Sequence, residues 1–133
     1  MGPSRVCLLL APLLLALGCS SIPSYEGGPV KSDPYGIVQP EGDVKLWAVD
    51  GKPAFNRDDE TYAAPGNHTF RFRIDYPMDS EEMHPFEYID FPISVVEGHR
   101  YRVGVKGGEG DYLKGPPYSL DVIHETKIAG YGK

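Results

Sequence analysis

Three groups of residues have types and spacings that could do chemistry. The first is a single cysteine: Ala16-Leu17-Gly18-Cys19 closes a run from Val6 that carries no charge. Gly18 has no side chain to obstruct cleavage of the bond ahead of the cysteine, and the only other thiol, Cys7, lies inside the apolar run. The second is His84, which shares one short loop with Asp79, Glu81 and Glu82. Imidazole and carboxylates together suit zinc or another divalent ion. No histidine pair has the i, i+4 helical or i, i+2 strand spacing that presents two imidazoles on one face, and prolines at 77 and 85 bound the loop. His68 and His99 fall at turns and His124 on a strand, where a cross-strand polar or solvated role is the plainer reading. The third is a set of guanidiniums, Arg71 and Arg73 on one strand face and Arg100 and Arg102 on another. If those strands are neighbours the four cluster as a possible binding face for carboxylates or phosphates. Asp75, Glu87 and Asp90 provide the competing arrangement, a ladder of ion pairs, favoured because facing like charges cost stability. Hydrolytic motifs are missing from the sequence: there is no G-x-S-x-G, S-x-x-K or H-E-x-x-H. No catalytic residue is therefore assigned, and the expectation is that the protein is not an enzyme.

The elements that position these groups begin with the leader. One basic residue, Arg5, precedes an apolar segment too short for the roughly 20 residues a helix needs to span a bilayer. It suits the h-region of a signal peptide. Pro12 and the lack of a polar face argue against a buried helix, and no basic stop-transfer cluster comes after it to favour an uncleaved anchor. The ending Ala16-Leu17-Gly18-Cys19 resembles the lipobox of bacterial lipoproteins, with Ala16 where leucine is commoner. The resemblance implies removal of residues 1–18, a diacylglycerol thioether on Cys19 and N-acylation of the new terminus. It implies no other cofactor. Ser20 stands where inner-membrane lipoproteins often carry aspartate, which points to the outer membrane.

Only Arg5 of the 13 Lys and Arg precedes Cys19, so the remaining 115 residues set 12 cations against 19 Asp and Glu, a formal charge of about −7. Phosphate recognition needs a concentrated basic face, so nucleic acid is excluded as a partner. With its one thiol committed to lipid, the mature chain has no disulfide and relies on an apolar core, which a domain of about 90 residues can supply.

Residues 19–43 hold the lipidated cysteine and a Pro/Gly/Ser-rich stretch that reads as a tether, although Tyr35–Val38 has the composition to pack along a sheet edge. The folded domain is expected over 44–133. Val44–Val49 alternates as a strand, Asp50-Gly51 suits a type I′ hairpin turn, and Pro53 keeps the return strand at an edge. Short strands are expected next at Thr61–Ala64, His68–Tyr76, Phe86–Val96, Arg100–Lys106 and Tyr118–His124, with a Gly-rich loop over 107–117. Pro92 marks an edge strand or a bulge. No segment carries the apolar spacing of an amphipathic helix. The prediction is an all-β fold, a small antiparallel β-sandwich of about six to eight strands.

Val49-Asp50-Gly51, Pro65-Gly66-Asn67-His68 and Val95-Val96-Glu97-Gly98-His99-Arg100-Tyr101 succeed one another in an order that resembles PEGA-like and related bacterial lipoprotein domains. The resemblance implies an Ig-like or transthyretin-like sandwich serving as a surface or scaffold module. The functional expectation is a lipid-anchored, non-catalytic module of the cell envelope, structural or binding an envelope protein or glycan. The alternative is a metal- or small-ligand-binding periplasmic domain. Tyr112, Tyr118 and Tyr131 are candidate sugar-stacking rings near Gly/Pro segments, and ordinary strand-end tyrosines otherwise.

Overall fold

The computed structural model describes residues 22–75, 86–107 and 117–132. Eight strands form two four-stranded sheets, and no helix occurs among the described residues. The strands are β1 (Gly36–Pro40), β2 (Val44–Val49), β3 (Lys52–Pro53), β4 (Thr61–Ala63), β5 (Gly66–Asp75), β6 (Phe86–Val95), β7 (His99–Val105) and β8 (Leu120–Lys127). One sheet has the order β4-β1-β7-β8 and the other β3-β2-β5-β6. All pairs are antiparallel except β1 with β7, which run parallel from Ile37 opposite Arg100 to Pro40 opposite Val103. The chain is an all-β sandwich of eight strands.

Alternation builds the core. On β5 the side chains of Phe70, Phe72 and Ile74 are fully buried, while Arg71 between them is exposed. Leu46 and Val49 of β2 join them from the same sheet, and Val38, Tyr101, Val103 and Leu120 close the layer from the other. The β2–β3 hairpin turns at Asp50 and Gly51, with φ of 49° and 82°, the paired positive values of a type I′ turn. Pro53 and Pro92 both lie on sheet edges, where a missing N–H removes no ladder bond.

The folded body starts earlier than the tether reading places it. Tyr25 is buried and forms an isolated antiparallel bridge with Ala54. Gly36–Pro40 is an interior strand, held by β4 on one side and β7 on the other. The boundary at residue 44 is therefore corrected to include at least residues 25–43. Pro34 and Pro40 flank β1 rather than interrupt it, and its burial on both faces removes the alternation by which the other strands announce themselves. Residues 1–21, with Cys19, the loop around His84 and most of the Gly-rich loop with Tyr112 lie outside the described residues.

Candidate functional site

The four arginines are separated by the topology. Arg71 and Arg73 lie on β5 and Arg100 and Arg102 on β7, strands of different sheets, each set alternating with core residues of its own sheet. They point away from the core on opposite outer faces and do not form one cluster. Each has a carboxylate at hand. Arg71 donates from Nε and Nη2 to the two oxygens of Asp90, at 2.8 and 3.2 Å, and Arg73 Nε donates to Asp75 Oδ1 at 2.8 Å. Arg100 donates to Glu60 and to Gln39 Oε1, and Arg102 Nε lies 3.4 Å from Glu41. Cross-strand hydrogen bonding and charge hold Asp90 below the usual carboxylate range and Arg71 above its ordinary value.

The histidines are tied up structurally at 68 and 99. His68 bonds through Nδ1 to Asp50 Oδ2 at 2.5 Å and through Nε2 to the Ala64 carbonyl at 2.7 Å. His99 Nδ1 lies 2.9 Å from Glu125 Oε2. Among the described residues no three His, Cys, Asp or Glu converge to hold a metal ion. Of the candidate tyrosines, Tyr131 donates from its hydroxyl to Glu97 and accepts from the Tyr35 N–H, while Tyr118 is buried in the core. Tyr131 packs edge-on against Tyr35, which also stacks on Tyr62 at 4.5 Å.

A different surface gathers aromatic rings and guanidiniums, on the outer face of the β3-β2-β5-β6 sheet. The register between β2 and β5 shifts between Leu46 and Ala48, so Trp47 is the extra residue of a bulge; its indole lies opposite Leu46, and the shift lets Val49 join Leu46 in the core. The Arg57 guanidinium lies 3.6 Å from the indole centre and that of Arg73 5.2 Å from it. Arg73 also lies 4.1 Å from the Phe86 ring, and Tyr88 bridges Trp47 and Phe86 at 5.7 and 5.3 Å. Cation–π attraction of this kind contributes about 0.5–1 kcal/mol at an exposed site. Phe86 and Tyr88 remain exposed at the β6 edge. Beside them runs a groove of about 400 Å³ lined by Trp47, Asp50, Arg57, Thr69, Arg71 and Asp90 among others. Arg57 Nε within it is buried without a hydrogen-bond partner among the described residues.

The sequence signal for this face is present but faint. Alternation puts Trp47 and Lys45 on the side of β2 opposite Leu46, and Tyr88 with Asp90 opposite Ile89. What brings Arg57 onto Trp47 is a loop path, and no spacing rule predicts it. Compared with protein-family models, curated proteins and solved structures, the chain gives no match to any of the three.

Proposed function

We propose that the protein is a lipid-anchored lipoprotein of the cell envelope whose β-sandwich is a non-catalytic module that binds an envelope protein or glycan. The observation that carries this reading is the charge-free apolar run closed by Ala16-Leu17-Gly18-Cys19. A segment of that length is a leader rather than a span, and the chain beyond it folds as a sandwich. The binding half draws its support from the outer face of Trp47, Arg57, Arg73, Phe86 and Tyr88. Trp, Tyr and Arg are the residue types that dominate binding energy at protein interfaces, and rings flanked by guanidiniums also stack on sugars while accepting carboxylates. The formal charge of about −7 from Cys19 onward makes nucleic acid a poor partner. Outer-membrane placement rests on Ser20 by resemblance alone.

Expression of the full chain in a bacterium fed an alkyne-tagged palmitate tests the anchor. The expected result is a tagged, membrane-bound protein whose mass matches a chain starting at Cys19 plus acyl groups. Cys19→Ser should lose both tag and membrane partitioning. A serine variant that stays on membranes, or a wild-type chain of unacylated mass, refutes the reading.

A further inference from the structure

Among the large apolar side chains exposed on the described surface, Ile22 and Phe55 stand out farthest, with 69% and 62% of their surface open against 49% or less for Phe86, Tyr88, Val96 and Ile123. They share one flank. The Phe55 N–H donates to the Ser24 carbonyl at 2.8 Å and Tyr25 bridges to Ala54, so the chain at 24–25 runs antiparallel beside 54–55. Ile22 is then two residues from the position opposite Phe55. Exposed Lys52 and Pro53 of β3 continue the flank.

This flank is also where the chain leads back to Cys19. Three Cα steps separate Cys19 from Ile22, a reach of about 11 Å at full stretch. Acyl chains seated in a bilayer through Cys19 therefore hold Ile22 and its neighbours close to the head groups. Isolated apolar side chains on a protein surface are ordinary, but here the two most exposed come from paired segments on the flank that leads to Cys19.

Resting on the anchor reading above, we infer that the Ile22–Phe55 flank lies against the lipid surface and inserts both side chains between the head groups. The contact is apolar rather than electrostatic. Glu26, Asp58 and Asp59 are exposed near Lys52 in sequence and pairing, and Asp58 faces Lys45 at 3.7 Å, so the described residues of this flank offer no basic patch for anionic lipid. The several acyl chains on Cys19 already suffice for stable attachment, so apolar insertion supplies orientation rather than affinity. Strand order sets the orientation. β6 is the edge of its sheet farthest from β3, so Phe86 and Tyr88 lie at the edge away from the contact flank and are left open to a partner.

Trp47 is the only tryptophan, so a Trp47→Phe background allows one reporter at a time. Phe55→Trp, Ile22→Trp and, as a control on the far edge, Phe86→Trp are each made in the full chain, purified from membranes and reconstituted in phosphatidylcholine vesicles with brominated acyl chains. Mass spectrometry of the same samples reads acylation. The expected result is acylated protein in which tryptophan at 55 and at 22 is quenched at least about twofold more than at 86, as side chains within the head-group boundary would be. Substituting anionic lipid should leave that ratio unchanged. Acylated protein with equal quenching at all three positions overturns the inference and leaves the anchor standing. A blue-shifted tryptophan 55 that bromine does not quench also overturns it, because a second copy then covers the flank. Unacylated protein overturns the anchor reading, and this inference with it.

Discussion

Asp50 shows how one turn residue does two jobs. Its φ of 49° completes the hairpin turn with Gly51, and its carboxylate accepts from the Thr69 N–H at 2.8 Å and from His68 at 2.5 Å. Burial taken alone would raise its pKa, but the hydrogen bonds from His68 and Thr69 and the His68 charge together pull it below its ordinary 3.8. The folded state thus binds this proton more weakly than the unfolded chain. The resulting stability is present above pH 3.8 and is lost as pH falls through the lower folded value. Asn tolerates positive φ, so Asp50→Asn should keep the turn and cost about 1 kcal/mol at neutral pH. Thermal unfolding of both proteins as a function of pH should show the gap closing below pH 3.8. A gap that stays constant there would place the effect in the backbone instead. Thr61 offers the opposite case: it is fully buried and its Oγ1 has no hydrogen-bond partner among the described residues. Thr61→Val keeps the β-branched shape and removes an unsatisfied hydroxyl. Calorimetry should show a gain of about 1 kcal/mol, a rise in Tm of roughly 4–8 °C. At the alkaline end, burial raises the phenols of Tyr25 and Tyr101 above their ordinary 10.0. Each keeps its proton longer folded than unfolded, so stability should decline as pH rises above 10.0, measurable as a falling Tm.

Among the strands, β1 is the one that the sheet cannot adjust around. Gly36 pairs with Ala63, and a Cβ added there would lie 2.5 Å from Val95 Cγ1, 3.0 Å from the Val96 carbonyl and 3.1 Å from that of His99. Two of the three obstructing atoms are backbone, so rotamer changes alone do not relieve the clash. Gly36→Ala should destabilise by about 3 kcal/mol, the upper end of overpacking costs, seen as a lower denaturant midpoint with an unchanged m-value. Strands with one wet face were legible in the sequence: β5 from Phe70, Phe72 and Ile74, β7 from Tyr101, Val103 and Val105. So were the turn at Asp50-Gly51 and the edge placement of Pro53 and Pro92, because each has a purely local cause. β1 was not, since G-I-V-Q-P lies buried on both faces among prolines and glycines and looks locally like linker. The bulge at Trp47, which lets Val49 as well as Leu46 face the core, was equally hidden, because a register shift belongs to a pair of strands and not to either one.

For the whole molecule, the question is how much of the chain the sandwich needs. The guanidinium cluster depended on which strands were neighbours, and topology decided it: β5 and β7 sit in different sheets, so the arginines became two separate sets of ion pairs. The same dependence governs folding. Residues 22–43 look dispensable by composition, yet they supply β1, the neighbour of both β4 and β7, and three buried apolar side chains, Tyr25, Ile37 and Val38. Removing them unpairs one edge of β7, takes from β4 its partner strand among the described residues and opens the core cluster that Tyr25 and Val38 share with Phe70. The lost burial of Val38 and Tyr25 alone is worth about 1.5–3 kcal/mol each, before the β1 ladder bonds, at about 1 kcal/mol apiece, are counted. A domain of this size has about 5–13 kcal/mol in total. A fragment of residues 44–133 should therefore lack cooperative unfolding and near-ultraviolet dichroism, whereas residues 22–133, which omit only residues 1–21, should unfold in one transition. A cooperative transition in the shorter fragment would mean that β1 is an accessory to the sandwich rather than the strand that joins β4 to β7.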